Sequence, residues 1–131
     1  MKKRGLLNAP LSQVIAEMGH GDLLVIADAG LPIPLTVARI DLAVRPGLPP
    51  FLEVLDAVLE ELHVEKAIVA MEMRERSPQL YEAVRDRLRA VEIEHVPHET
   101  FKAMTGRARA VVRTGECTPY ANVILVSGVI F

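Results

Sequence analysis

Apolar positions in this chain fall into short blocks of two kinds, one with helical spacing and one running continuously. Leu11, Val14, Ile15 and Met18 sit at i, i+3, i+4 and i+7, the stripe of a short amphipathic helix. Asn8 stands where a cap belongs, Pro10 is tolerated in the first turn, and Gly19 or Gly21 stops the helix. "LLVIA" (23–27) is apolar throughout, as expected of a strand covered on both faces. Leu35 to Val44 predicts a second strand, broken by "RPGLPP". Helical spacing returns from Phe51 to Leu62, and a buried-strand run follows from Glu65 to Met73. Ser77 and Pro78 form a cap and first-turn pair for a helix carrying Leu80, Val84, Leu88 and Val91. "EIEHV" predicts a strand, His98 to Met104 a short helix, "AVVRT" another strand, and "ANVILVSGVIF" ends the sequence.

Strands therefore alternate with helices, which predicts an α/β fold: a single three-layer domain over residues 1–131 with a mostly parallel, helix-covered sheet. "AVVRT" and "ANVIL" are too close for a helical crossover, so an antiparallel strand is expected near the C-terminus. The chain is 50% hydrophobic with only 4% aromatic residues, so its core must be built from Val, Leu, Ile and Ala. A net charge of −2 gives no electrostatic reason to expect nucleic acid or an anionic membrane as partner. No apolar run approaches the roughly 20 residues of a membrane span. The basic opening "MKKR" resembles a signal peptide, but Asn8, Pro10, Ser12, Gln13 and Glu17 interrupt any apolar core, so it reads as mature protein. The single Cys117 leaves no internal disulfide and suits a reducing compartment; the expected location is cytoplasmic.

In open α/β sheets ligands gather beyond the carboxyl ends of the parallel strands. That rule collects Asp28 after "LLVIA", His98 after "EIEHV" and the loop "RTGECTPY" after "AVVRT". Two readings fit His20: an imidazolium at a helix C-terminus, favoured by the dipole, or a proton-transfer group left uncrowded by Gly19 and Gly21. Asp28 reads either as a turn former in "DAGLPIP" or as an acceptor for sugar hydroxyls. His98 and Lys102 share a helix face by their spacing of four, which suits a solvated helix start equally well. His95 and His98 form H-x-x-H without a third ligand, and no metal is expected. Tyr120 and Asn122 flank Ala121, so in an extended segment they point the same way and suit hydroxyl recognition; finishing the loop through backbone bonds is the other reading. Cys117 reads as a loop residue. No phosphate loop, dinucleotide fingerprint or serine-hydrolase elbow is present. What remains is an acid–base set that needs no cofactor.

"MGHGDLLVIADAGLPIP", "HETFK" and "RTGECTPYANVIL", together with the N-terminal "KKRGLLNAPLSQVIAEMGHGD", closely resemble the D-ribose pyranase family, a relative of the fucose mutarotases. The likeness runs over essentially the whole chain. The fucose branch shares a G-H-G-D-like start and a T-G-E turn but differs around "DAGLPIP" and "TPYAN". The resemblance implies interconversion of pyranose and furanose D-ribose, with no cofactor, by a homo-oligomer of paired pentameric rings whose sites lie near subunit contacts. It implies His20 as the catalytic acid–base residue, with Asp28, His98, Lys102, Tyr120 and Asn122 binding sugar. Two alternatives are a mutarotase of fucose or a similar monosaccharide, and a non-catalytic sugar-binding accessory of ribose uptake. One geometric difficulty follows: His20 and Asp28 bracket one strand, so about 16 Å separates them. Either the chain bends between them, or one site takes the two residues from neighbouring subunits.

Overall fold

The computed structural model describes residues 1–131. Strands β1 (Leu23–Ala27), β2 (Ala38–Asp41), β3 (Val64–Ala70), β4 (Glu92–Val96), β5 (Ala110–Arg113) and β6 (Val123–Ser127) form one sheet in the order β2-β5-β1-β6-β3-β4. Helices are α1 (Ala9–Glu17), α2 (Phe51–Leu59), α3 (Met71–Arg76), α4 (Pro78–Arg87) and α5 (His98–Met104). β6 lies antiparallel between β1 and β3, and the other pairings are parallel. The expected antiparallel strand is thus present, but in the middle of the sheet. No helix is long and apolar enough to cross a membrane.

Side chains alternate across the strands and build a core on each face. Leu24, Ile26, Val69, Val112 and Leu125 join Leu11 of α1, Phe51 and Leu55 of α2 and Val84 of α4. Val25, Ala27, Ile68, Val111 and Ile124 meet Phe101 of α5 together with Leu31 and Val37. Phe51 and Phe101 are fully buried, each contributing about 1.5–3 kcal/mol relative to an exposed ring. The third layer is thin: one short helix and the loop ahead of β2 cover that face.

Three boundaries differ from the pattern reading. β2 spans four residues rather than Leu35 to Val44, because it is an edge strand paired only with β5, and Leu35 and Val44 are exposed. The run from Glu65 to Met73 changes form at Ala70: β3 passes directly into α3, which buries Met73, with no Gly or Pro to mark the junction. Ser77 does not cap α4 with its side chain; its Oγ donates instead to the Pro119 carbonyl at 2.7 Å. The Asn8 cap of α1 forms as expected, accepting from the Leu11 N–H at 3.0 Å.

Candidate active site

The five parallel strands end on one rim of the sheet, and β6 begins there. Asp28 follows β1 on that rim. Its backbone N–H donates to Asn122 Oδ1 and Asn122 Nδ2 donates to its Oδ2, both at 2.9 Å. The Gly30 N–H donates to Asp28 Oδ1 at 3.0 Å. Each carboxylate oxygen is therefore oriented by one protein donor and keeps acceptor capacity for a ligand hydroxyl. Asn122 is fully buried just ahead of β6, so it works through Asp28.

His98 opens α5. Its backbone N–H, an orphan donor of the helix start, is taken by both oxygens of Glu72, at 2.9 and 3.2 Å. Its ring stands edge-on to Tyr120, with centroids 5.0 Å apart, and stacks on Phe101. His98 Nδ1 is buried without a hydrogen-bond partner. Asp28, His98 and Tyr120 line one cavity of about 340 Å³, shared with Gly30, Arg76 and Pro119.

Tyr120 departs from the extended segment expected of it. Its φ is +62°, a left-handed conformation costing a side-chain-bearing residue about 1–3 kcal/mol. The tight turn closes with the Asn122 N–H donating to the Tyr120 carbonyl at 2.8 Å. Tyr120 and Asn122 consequently part company: the phenol ring faces the cavity while the amide is buried behind Asp28.

Pro119 brings to the cavity the end of a loop, Gly115 to Pro119, that is held from several sides. The Ala29 N–H donates to the Glu116 carbonyl, and Thr114 Oγ1 donates to the Ala27 carbonyl, both at 2.8 Å. Glu116 accepts from the Phe51 N–H at 2.9 Å and from Thr118 Oγ1 at 2.8 Å. Burial raises the Glu116 carboxyl, but the bonds from Phe51, Thr118 and Cys117 outweigh it and hold the group below its ordinary value. Cys117 is exposed in this loop.

Two expected residues lie apart. Lys102 is one turn beyond His98 on α5, where its Nζ pairs with Glu99 Oε1 at 2.7 Å. That contact, ahead of the general pull of the same charge, lowers the Glu99 carboxyl. His20 lies at the opposite rim, before β1, with its side chain 62% exposed and Nε2 2.9 Å from Glu65 Oε2. The five residues of β1 stand between His20 and Asp28, so the chain does not bend to unite them. His95 faces away from His98: its Nε2 meets the Tyr81 hydroxyl at 2.7 Å, and burial, then Arg74, depresses its pKa. No cluster of three or more His, Cys, Asp or Glu side chains forms a metal-ligand set.

Pattern reading missed Glu72, Arg76 and Glu116. Glu72 was hidden inside a run read as strand through Met73. Glu116 lies in the loop "RTGECTPY", which the strand rule collects as a whole, and its role depends on contact with Phe51, remote in sequence.

The family model for the RbsD / FucU transport protein family matches residues 1–130. The chain is 56% identical to the D-ribose pyranase of Geobacillus kaustophilus, covering 100% of this chain and 96% of that one. Identity is 58% to the D-ribose pyranase of Laribacter hongkongensis, with both chains covered in full. Bacillus subtilis RbsD, solved with D-ribose, superposes with a TM-score of 0.97 at 47% identity over the whole of both chains. The fucose mutarotase of Streptococcus pneumoniae, solved with L-fucose, gives 0.78 at 27% identity over 95% of each. With the family model matching almost its whole length and its fold superposing over the whole chain, this chain belongs to the RbsD / FucU transport protein family.

Proposed function

We infer that this chain is a D-ribose pyranase, an isomerase interconverting the pyranose and furanose forms of D-ribose, with residues 1–131 acting as one domain. The observation that carries the reading is the cavity in which Asp28, held by Asn122 and Gly30, faces the rings of His98 and Tyr120. The D-ribose bound to the B. subtilis relative supports ribose over fucose, as does the lower identity to the fucose mutarotase.

The reaction moves protons and no net electrons. The anomeric hydroxyl of the pyranose loses its proton as the ring oxygen gains one, the ring bond to C1 breaks, and the aldehyde opens. The C4 hydroxyl then adds to C1, giving its proton up as the carbonyl oxygen takes one. His20 is the group assigned to relay these protons, a role contributing about 10²- to 10⁴-fold. Asp28 accepts from sugar hydroxyls, His98 and Tyr120 border the ring, and Asn122 sets the angle of Asp28. Lys102, beside His98 on α5, joins the site by exchanging Glu99 for a sugar hydroxyl.

Because β1 separates His20 from Asp28, a complete site takes His20 from a neighbouring copy. A cytoplasmic homo-oligomer of paired pentameric rings fits that requirement. Ile130 and Phe131 are 88% and 100% exposed on the side of the sheet that carries His20, which supports subunit contact there. The test is NMR exchange spectroscopy on D-ribose with substoichiometric protein. Wild type should speed pyranose–furanose exchange, and His20→Ala should lower the rate by about 10²-fold or more. Exchange no faster than in buffer would leave a sugar-binding protein without catalysis, and faster exchange of fucose than ribose would move the substrate.

A further inference from the structure

The rim that carries His20 is built with as much local detail as the opposite one, and a second residue there has no role in the reading so far. Resting on His20 as the proton relay, we propose that Glu65 is its positioning residue, holding the imidazole so that Nδ1 is the nitrogen exchanging protons with the sugar.

The first support is contact. His20 Nε2 and Glu65 Oε2 are 2.9 Å apart across 45 residues of sequence, on different elements. An ionised carboxylate only accepts, so the hydrogen between them belongs to Nε2. In the neutral imidazole Nδ1 is then bare and basic.

The second support is the backbone that aims each partner. On β3, Val64 pairs with Ser127 and Lys66 with Val126, so Glu65 is an extra residue in the ladder with β6. Such a bulge turns a side chain off the regular alternation, a device found beside active sites. Gly128 lies against this bulge. A Cβ there would stand 3.1 Å from Glu65 Cβ and 2.8 Å from the His63 ring, so any side chain at this position would force the His63 ring aside and crowd Glu65. On the other side Gly21, at φ +84°, turns the chain directly after His20. The turn is pinned at both ends: Gly21 N–H donates to the Ser127 carbonyl at 2.8 Å and Ser127 N–H to the Asp22 carbonyl at 2.9 Å. One end of β6 thus fixes both the histidine turn and the glutamate bulge.

The third support is that the other charged neighbours are engaged elsewhere. Asp22 takes the Gly19 N–H at 2.8 Å and pairs with Arg109 at 3.0 Å. Lys66 pairs with Glu94 at 2.6 Å. Glu65 is the carboxylate left facing the imidazole.

The experiment uses full-length protein labelled with ¹⁵N-histidine, its His20 signals assigned by their loss in His20→Ala. Long-range ¹H–¹⁵N spectra read which ring nitrogen carries the hydrogen, and exchange spectroscopy on D-ribose reads kcat and KM. Wild type should show the Nε2–H tautomer at His20. Glu65→Gln should mix the tautomers and lower kcat about tenfold with KM little changed. Glu94→Gln, which breaks the neighbouring ion pair without touching His20, should alter neither. An Nδ1–H tautomer in wild type would overturn the proposal, even if Glu65→Gln failed to fold. So would a Glu65→Gln protein with unchanged tautomer and kcat. If His20→Ala itself keeps full activity, the relay reading fails first, a distinct outcome from an inactive His20→Ala beside a fully active Glu65→Gln.

Discussion

The two rims of the sheet solve different problems. Around Asp28 the polar groups are buried or half-buried and mutually bonded: Asn122 holds Asp28, Glu72 holds the start of α5, and Glu116 holds the loop that ends at Pro119. Around His20 the side chains are exposed, and the backbone rather than the core holds them. A rim that recognises hydroxyls gains from rigidity, because each preset acceptor is ordered before the ligand arrives. A proton relay that must reach another copy gains from projecting into solvent. The protomer thus carries two half-sites facing opposite ways.

The strongest challenge to that division is complementation. His20→Ala and Asp28→Ala proteins should each lose about 10²-fold or more in ribose exchange. Refolded together at equal amounts, they should regain about a quarter of the wild-type sites, since a neighbour can supply the intact partner. Exchange spectroscopy with no recovery would put both residues of a site in one protomer. Next in size is Asn122→Ala, which strands the Asp28 N–H and loosens its carboxylate. It should cost about 1–3 kcal/mol in denaturant unfolding and raise KM for ribose.

Smaller is the effect of the left-handed turn at Tyr120. Tyr120→Gly and Tyr120→Ala both remove the ring beside His98 and should weaken ribose binding alike. The glycine variant should be the more stable by about 1 kcal/mol, because only it adopts φ +62° without strain. Equal stabilities would mean the turn relaxes. Smallest is an acid-limb effect at Glu116. Its carboxyl is held below the ordinary 4.5, so its contribution is complete above that value and is lost as pH falls through the folded value. Glu116→Gln should therefore melt lower than wild type near neutral pH, with the gap closing in acid, as followed by thermal unfolding.

Much of this was legible in the sequence, for identifiable reasons. Continuous apolar runs marked β1 and β6 because a central strand is buried on both faces. Asp28 and His98 could be assigned to one rim because both follow parallel strands. The boundary between β3 and α3 was not legible, since no breaker residue separates them. Nor was the parting of Tyr120 from Asn122, which depends on a turn whose strain is offset by contacts remote in sequence. Leu35 and Val44 misled for another reason: they are apolar yet exposed on the protomer, so their hydrophobicity does not serve its core.

The antiparallel strand in the middle of the sheet has one more consequence. β6 starts just after Asn122 and ends at Ser127, so a single rigid segment of about 17 Å touches both half-sites. It acts as a ruler. A one-residue insertion would exchange the side chains that β6 sends to the two cores, and a two-residue insertion would keep the faces but push one half-site out of step with the other. Sequence change in this protein should therefore collect in the loops and along the edge strands, while the length of β6 stays constant.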